Sequence, residues 1–190
     1  MNLQQWIATD HAALVARLDY AITQRVAAEL WAKSPPGNGS SLTWLLFHMT
    51  YHQDLALNTA IRNHPPLLSA HRAALGLAAL SPAAGLAEHE SREVTEALPR
   101  LALLAYVDQV NQATTEWISH LSAMALESVP NVAWRLEHKA LVSADEVPWL
   151  YAMWADKPVA WFVQWECIGH RHNHLGEMTS VRNRLGFSPF

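Results

Sequence analysis

Residues 159–181 read VAWFVQWECIGHRHNHLGEMTSV, and this stretch decides how the chain can fold. A helix advances about 100° per residue, which places Val163 and Met178 on one apolar face. His170 and His174 fall in the middle of that face. The sequence therefore predicts a helix that buries two imidazoles, four residues apart, against its neighbours.

Two imidazoles at positions i and i+4 project from adjacent turns and can chelate one metal ion. The alternative is a pair of core histidines hydrogen-bonded to other protein groups, because histidine is intermediate in burial. Buried ring nitrogens need partners in either case. A metal ion would satisfy one nitrogen on each ring at once, which makes His170 and His174 candidate metal ligands.

A second His-x-x-x-His pair, His48 and His52, lies in a segment that is apolar on nearly every side. We expect His48 to be the third ligand, which gives the three-histidine set of a catalytic site with one open coordination position. His52, towards the polar side of its helix, and Glu166, on the flank of the last helix, are candidates for a fourth ligand, a partner of a ligand or a catalytic base. A structural role for His52 stays open.

Other residues near these motifs receive a structural interpretation. Cys167 lies on the apolar face and is interpreted as a small buried hydrophobe, in preference to a ligand or nucleophile. The acidic run 88–93 is interpreted as a solvated helical face. Four tryptophans can either cover a pocket or pack in the core, and core packing is the default interpretation. They are Trp149, Trp154, Trp161 and Trp165.

Hydrophobic periodicity predicts an all-α protein, with four long helices around one core in a single domain, 1–190. Ser40 or Ser41 is expected to cap the second helix and Asp156 the fourth. Irregular connections follow the second and third helices. The connection 67–99, with one or two short helices, is long enough to let the helices it joins run parallel. The expected helices span residues 2–33, 41–63, 100–125 and 156–185.

Composition excludes several classes of protein. With 51% hydrophobic and 16% charged residues, the chain is not intrinsically disordered. A net charge of −4 argues against a nucleic-acid partner. One cysteine permits no intrachain disulfide, which favours a reducing, cytoplasmic location. The longest apolar run is far shorter than the roughly 18 residues of a membrane span, and no secretory signal opens the sequence, so no membrane partner is expected.

Two segments, GSSLTWLLFHM at 39–49 and HRHNHLGE at 170–177, resemble the DinB/YfiT-like superfamily of small helical metalloproteins. The resemblance implies a four-helix bundle in up-down-down-up order, often dimeric, with a divalent metal held by His48, His170 and His174. Some relatives carry a glutamate one turn before the later histidine, where Glu166 stands in this chain. Characterised relatives include transferases and isomerases that use mycothiol, bacillithiol or glutathione.

We therefore expect a metal-dependent enzyme whose Zn²⁺ or Ni²⁺ ion lowers the pKa of a bound low-molecular-weight thiol or water. The reaction would be transfer, isomerisation or hydrolysis of a small-molecule substrate. A homodimer is expected from the resemblance and from nine tryptophans, which need not all fit one small core. Two alternatives stay open: a non-catalytic stress-response or binding module that the ion stabilises, and a metal-free helical protein with buried histidines.

Overall fold

A computed structural model describes residues 1–189, and within this range the regular structure is entirely helical, without a strand. The all-α prediction is therefore confirmed. The α-helices are α1 (Leu3–Leu18), α2 (Leu42–Asp54), α3 (Leu68–His71), α4 (Arg92–Ala97), α5 (Arg100–Ser119), α6 (Ala123–Glu127), α7 (Val132–Arg135), α8 (Pro148–Trp154), α9 (Val159–Phe162) and α10 (His170–Arg184). Helical segments of π type continue α1, α2 and α7 and join α9 to α10; they span Asp19–Thr23, Leu55–Ile61, Leu136–Ala140 and Val163–Gly169.

Helix α2 lies at the centre of the packing. All 13 of its residues are buried, as its all-round apolar character predicts. It contacts α5 and α10, and α1 contacts the same two helices. The four long helical segments thus share one hydrophobic core. Among the helices of residues 1–189, none combines the length and the apolar character needed to cross a membrane.

Several predicted boundaries around the second helix are confirmed. The Ser41 side chain accepts a hydrogen bond from the backbone N–H of Trp44 at 3.1 Å, so this serine is the N-cap. The helical segment ends at Ile61, two residues before the expected boundary. The following connection contains the two short helices α3 and α4, in agreement with the prediction.

The first helix was expected to reach residue 33, and this was wrong. It ends at Thr23, and Ala27 is extended. The indole Nε1 of Trp31 donates to the carbonyl of Val26 at 3.1 Å, across the segment where the helix has ended. The chain leaves the helix, so that both Val26 and Trp31 are buried in the core.

The third helix was expected to reach Ala125 but ends at Ser119, with α6 as a separate turn. The side-chain amide of Gln4 donates to the carbonyls of Ile118 and Ser119 at 2.9 and 2.6 Å. These carbonyls belong to the last turn, where no intrahelical partner is available. A side chain from α1 therefore caps α5, an interaction that hydrophobic periodicity cannot reveal.

Asp156 was expected to cap the fourth helix, and this was also wrong. Asp156 has a positive φ of 56°, and the extended Pro158 occupies the N-cap position before Val159. A residue that precedes a proline is disfavoured in the α region, so the helix begins after Pro158.

Arg171 and Arg182 lie on the fourth helix away from the apolar face that carries His170 and His174, yet both are buried. Helix α10 packs against α1 and its π-helical extension as well as against α2. Arg171 Nη1 lies 3.4 Å from Nε2 of His11, and Arg182 donates to the carbonyl of Ala21 at 3.1 Å. A second packed side therefore buries residues that a single-face helix would expose.

The carboxylate of Asp54, at the end of α2, fixes the start of the connection to α5. It accepts hydrogen bonds from the backbone N–H groups of Leu67 and Leu68, at 3.0 and 2.9 Å. The side chains of Asn58 and Tyr106 also donate to it, each at 2.8 Å. Asp54 thus joins α2, α3 and α5 through one buried acceptor.

We predict that Asp54→Ala lowers the free energy of unfolding by about 3–5 kcal/mol, because four donors lose one acceptor. Tyr106→Phe removes one of these donors and should cost about 2 kcal/mol. Urea unfolding of the two variants measures the difference. Equal losses would show that Asp54 does not organise the connection.

Candidate metal centre

The three predicted metal ligands come together in the core. Helix α2 supplies His48, helix α10 supplies His170 and His174, and all three are buried. Nε2 of His170 lies 2.8 Å from Nε2 of His174. The ring centroid of His48 lies 5.1 Å from that of His170 and 4.9 Å from that of His174.

The other ring nitrogen, Nδ1, of each of these histidines faces an acceptor. Nδ1 of His48 donates to the carbonyl of Gly85 at 2.9 Å. Nδ1 of His174 donates to the carboxylate of Glu177 at 2.7 Å. Nδ1 of His170 lies 3.6 Å from Oε2 of Glu166. A neutral imidazole that is protonated at Nδ1 keeps its lone pair on Nε2, so these partners direct three lone pairs towards one centre.

This arrangement favours a cation at the centre. Two ring nitrogens that both carry lone pairs repel each other at 2.8 Å, so this distance requires a proton between them, and as ligands of one zinc ion they would move to roughly 3.4 Å apart. Nε2 of His48 is buried without a hydrogen-bond partner, and a buried polar atom of this kind needs one. The ring nitrogens are therefore positioned to hold a metal ion.

Burial also keeps two of these imidazoles in the metal-binding form. It lowers the pKa of His48 below its ordinary value, although the nearby carboxylate of Glu88 acts in the opposite direction. It lowers the pKa of His170 as well, and the neighbouring histidines lower it further. A metal ion binds the neutral imidazole, so both residues are prepared for coordination at neutral pH.

A fourth group, Glu88, joins the centre from the connection between α3 and α4. Its carboxylate oxygens lie 3.8 Å from Nε2 of His48, 3.8 Å from Nε2 of His170 and 4.0 Å from Nε2 of His174. The run 88–93 is solvated at Glu88, His89, Arg92 and Glu93, as expected, but its interpretation as one helical face was wrong, because α4 begins only at Arg92. The spacing of the acidic run gives no signal for this contact, which depends on the path of the connection.

His52 and Glu166 form a second group beside the first. Oε1 of Glu166 accepts from the indole of Trp154 at 2.7 Å. Its Oε2 lies 3.3 Å from Nδ1 of His52 and 3.6 Å from Nδ1 of His170. Nε2 of His52 donates to the carbonyl of Leu86 at 3.0 Å. Both nitrogens of His52 thus face groups other than the three-histidine centre, and Glu166 contacts that centre through His170.

The charge on this second group follows from its hydrogen bonds. Burial alone would lower the pKa of His52, but the carboxylate of Glu166 and the carbonyl of Leu86 raise it above the ordinary value. With a proton held at Nε2, a second proton on Nδ1 gives an imidazolium that pairs with Glu166. These two residues and His170 are also positioned to hold a metal ion.

Cys167 and the tryptophans complete the surroundings. Cys167 is buried, and burial raises the pKa of its thiol to about 12, which agrees with its interpretation as a small hydrophobe. Trp154 is buried, whereas Trp149 is partly exposed and its ring stacks on His52 with centroids 6.0 Å apart. The ring of Trp165 lies 5.9 Å from that of His170. The ring of Trp154 also meets that of His52, at 6.4 Å, so three of the four tryptophans flank the histidines.

Gly85 lets the connection approach α2 closely enough for its own carbonyl to accept a hydrogen bond from His48. Its φ is +98°, a value that residues with a side chain rarely adopt. A Cβ atom at this position would lie 2.3 Å from Cε1 of Phe47. Tyr51, one turn further along α2, donates to the carbonyl of Pro82 at 2.6 Å. The connection is thus held against the face of α2 that carries the histidines.

Comparison with known proteins finds a structure of similar fold and names no function. No family model matches the sequence, and no curated protein matches it. The crystal structure of a conserved protein from Enterococcus faecalis is similar over 98% of this chain and 99% of its own, with a TM-score of 0.63 and 16% identity. At this identity the likeness shows a shared fold alone.

We predict that Gly85→Ala lowers the free energy of unfolding by more than Gly186→Ala. Both glycines have a positive φ, which costs about 1–3 kcal/mol for another residue. A Cβ at Gly186 meets no atom within 4 Å, whereas one at Gly85 collides with Phe47 and should add about 1–3 kcal/mol. Thermal or urea unfolding compares them, and equal losses would contradict the close approach of the connection.

Proposed function

We propose that this protein is a metal-dependent enzyme of the DinB/YfiT-like type, in which His48, His170 and His174 hold a divalent ion. The observation that carries the proposal is the convergence of three Nε2 atoms, with the rings of His48 and His174 oriented through hydrogen bonds of Nδ1. Imidazole ligands suit Zn²⁺ and Ni²⁺ among the divalent metals. Three histidines are also the protein ligand set of catalytic zinc sites that admit an external ligand.

The chemistry would be activation of a nucleophile. A divalent ion lowers the pKa of a water or low-molecular-weight thiol that it binds, to about 7 for water on zinc. Glu177 and the carbonyl of Gly85 orient the ligands His174 and His48, as outer partners do in metalloproteins. The activated group would attack a small-molecule electrophile, giving transfer, isomerisation or hydrolysis.

The role of Glu166 and His52 in this scheme is to hold a proton beside the ligand His170. The fully buried Glu166 carboxylate lies between Nδ1 of His52 and Nδ1 of His170. At 3.6 Å from Nδ1 of His170 its negative charge favours a proton on that nitrogen, which leaves Nε2 free, and it faces Nδ1 of His52 at 3.3 Å. A carboxylate partner of this kind raises the basicity of a ligating histidine.

The proposal includes a topology, a location and partners. The pairwise packing of α1, α2, α5 and α10 is compatible with the up-down-down-up order of the superfamily. The exposed Leu3 and Trp6 of α1 provide apolar surface for a homodimer. The net charge of −4 and the single cysteine support a cytoplasmic protein that acts on a small molecule and binds no nucleic acid.

A non-catalytic, metal-stabilised module is the second candidate. The observation that favours it is Glu88, which makes four donor groups that lie within 4.8 Å of one another. Four protein ligands are the usual complement of a structural zinc site. The two candidates differ in whether an external ligand can reach the ion.

We predict that the purified chain binds about one Zn²⁺ per molecule and that His48→Ala, His170→Ala or His174→Ala weakens binding by at least 100-fold, more than loss of an outer partner. His172→Ala is the matched control, because His172 lies on α10 with 41% of its side chain exposed and faces Asp10. Competition with a chromogenic chelator measures the affinity.

Two results would decide against the proposal. Loss of affinity in His172→Ala equal to that in His170→Ala would show that the three-histidine centre does not hold the ion. A metal-loaded chain that transfers none of mycothiol, bacillithiol or glutathione to an electrophilic acceptor would favour the non-catalytic module.

A further inference from the structure

Glu88 differs from the histidines around it in one respect, its exposure. The side chain of Glu88 is 70% exposed, whereas His48 and His170 have side-chain exposures of 0% and 5%. Its two carboxylate oxygens face the three Nε2 atoms at nearly equal distances, 3.8, 3.8 and 4.0 Å. The carboxylate therefore covers the centre from the solvent side.

The distances suit a shared ion. Two ligands of one tetrahedral zinc ion, each bonded at 2.0–2.2 Å, lie roughly 3.4 Å apart. The separations of 3.8–4.0 Å exceed this value by a few tenths of an ångström, and they are too long for hydrogen bonds between the carboxylate and the rings. A small movement of an exposed side chain closes the difference.

The backbone holds Glu88 in place from both sides. On one side the carbonyls of Gly85 and Leu86 accept from His48 and His52. On the other side the carboxylate of Glu90 accepts from the backbone N–H and the hydroxyl of Ser41, at 2.8 and 2.7 Å. The position of Glu88 over the centre is thus fixed by its neighbours, while its own side chain is left to move.

We infer that Glu88 is a displaceable fourth ligand, which closes the coordination shell in the resting protein and yields its position to an entering small ligand. This inference rests on the proposed function, because it requires an ion at the three histidines. A thiol or water that entered would bind in place of the Glu88 oxygen. Its proton would leave to the solvent that the exposed Glu88 side chain faces, so charge and atoms balance.

The test uses Glu88→Ala, Glu88→Gln and the matched control Glu93→Ala, an exposed glutamate on α4. The first measurement is Zn²⁺ affinity by chelator competition. Glu88→Ala should lose at least the roughly tenfold typical of removing even an outer partner of a ligand. Glu93→Ala removes the same charge from the same acidic run and should leave the affinity unchanged.

The second measurement is the visible absorption spectrum of the Co²⁺-loaded chain during titration with imidazole. The Co²⁺ spectrum should differ between the wild type and Glu88→Ala. Imidazole is neutral, so loss of the Glu88 charge does not by itself change how tightly imidazole binds. If imidazole binds Glu88→Ala more tightly than the wild type, the carboxylate competes with imidazole for one position on the ion. Glu88→Gln, which keeps the shape but binds metals weakly, should resemble Glu88→Ala.

The outcomes separate this inference from the proposed function. If the wild type binds Zn²⁺ while Glu88→Ala shows unchanged affinity, spectrum and imidazole titration, Glu88 is not a ligand and the three-histidine site stands. If removal of Glu88 weakens Zn²⁺ binding but imidazole enters neither the wild type nor the variant, the shell is closed and the displacement is wrong. If the wild type binds no metal, the proposed function fails and this inference fails with it.

Discussion

Four imidazoles meet in one part of the core, His48, His52, His170 and His174, and every one of their ring nitrogens has to find a partner away from water. An unsatisfied buried polar atom costs about 1–3 kcal/mol, and eight such nitrogens would exceed what a domain of this size can tolerate. The chain meets three of them with hydrogen bonds to oxygens, one each on His48, His52 and His174, and Glu166 Oε2 faces two more, on His52 and His170, at 3.3 and 3.6 Å. The three that remain, one each on His48, His170 and His174, face a common centre.

This requirement shapes the parts of the fold outside the helices. The connection between α3 and α4 supplies carbonyls to His48 and His52, and it can do so only because Gly85 adopts a positive φ against Phe47. The same connection is tied to the end of α2 by Asp54 and to the start of α2 by Glu90. The histidines and the connection therefore depend on one another, and the polar groups that anchor the loop also set the tautomers at the centre.

The sequence was informative where one helix face decides the outcome. Periodicity and the i, i+4 spacing were sufficient to predict the burial of His170 and His174 and to add His48 from another helix. They failed where two distant segments meet, since neither the capping of α5 by Gln4 nor the approach of Glu88 leaves a trace in local spacing. The prediction that Asp156 caps the fourth helix failed for a local reason, because Pro158 occupies the N-cap position.

The most direct test of the central claim is an anomalous scattering measurement at the zinc edge on crystals of the Zn²⁺-loaded protein. We expect one strong peak at about 2.0–2.1 Å from Nε2 of His48, His170 and His174, the bond length of zinc to imidazole nitrogen. A peak bound elsewhere on the chain would contradict it. The absence of any peak, with the Nε2 atoms of His170 and His174 still at the distance of a hydrogen bond, would contradict it as well.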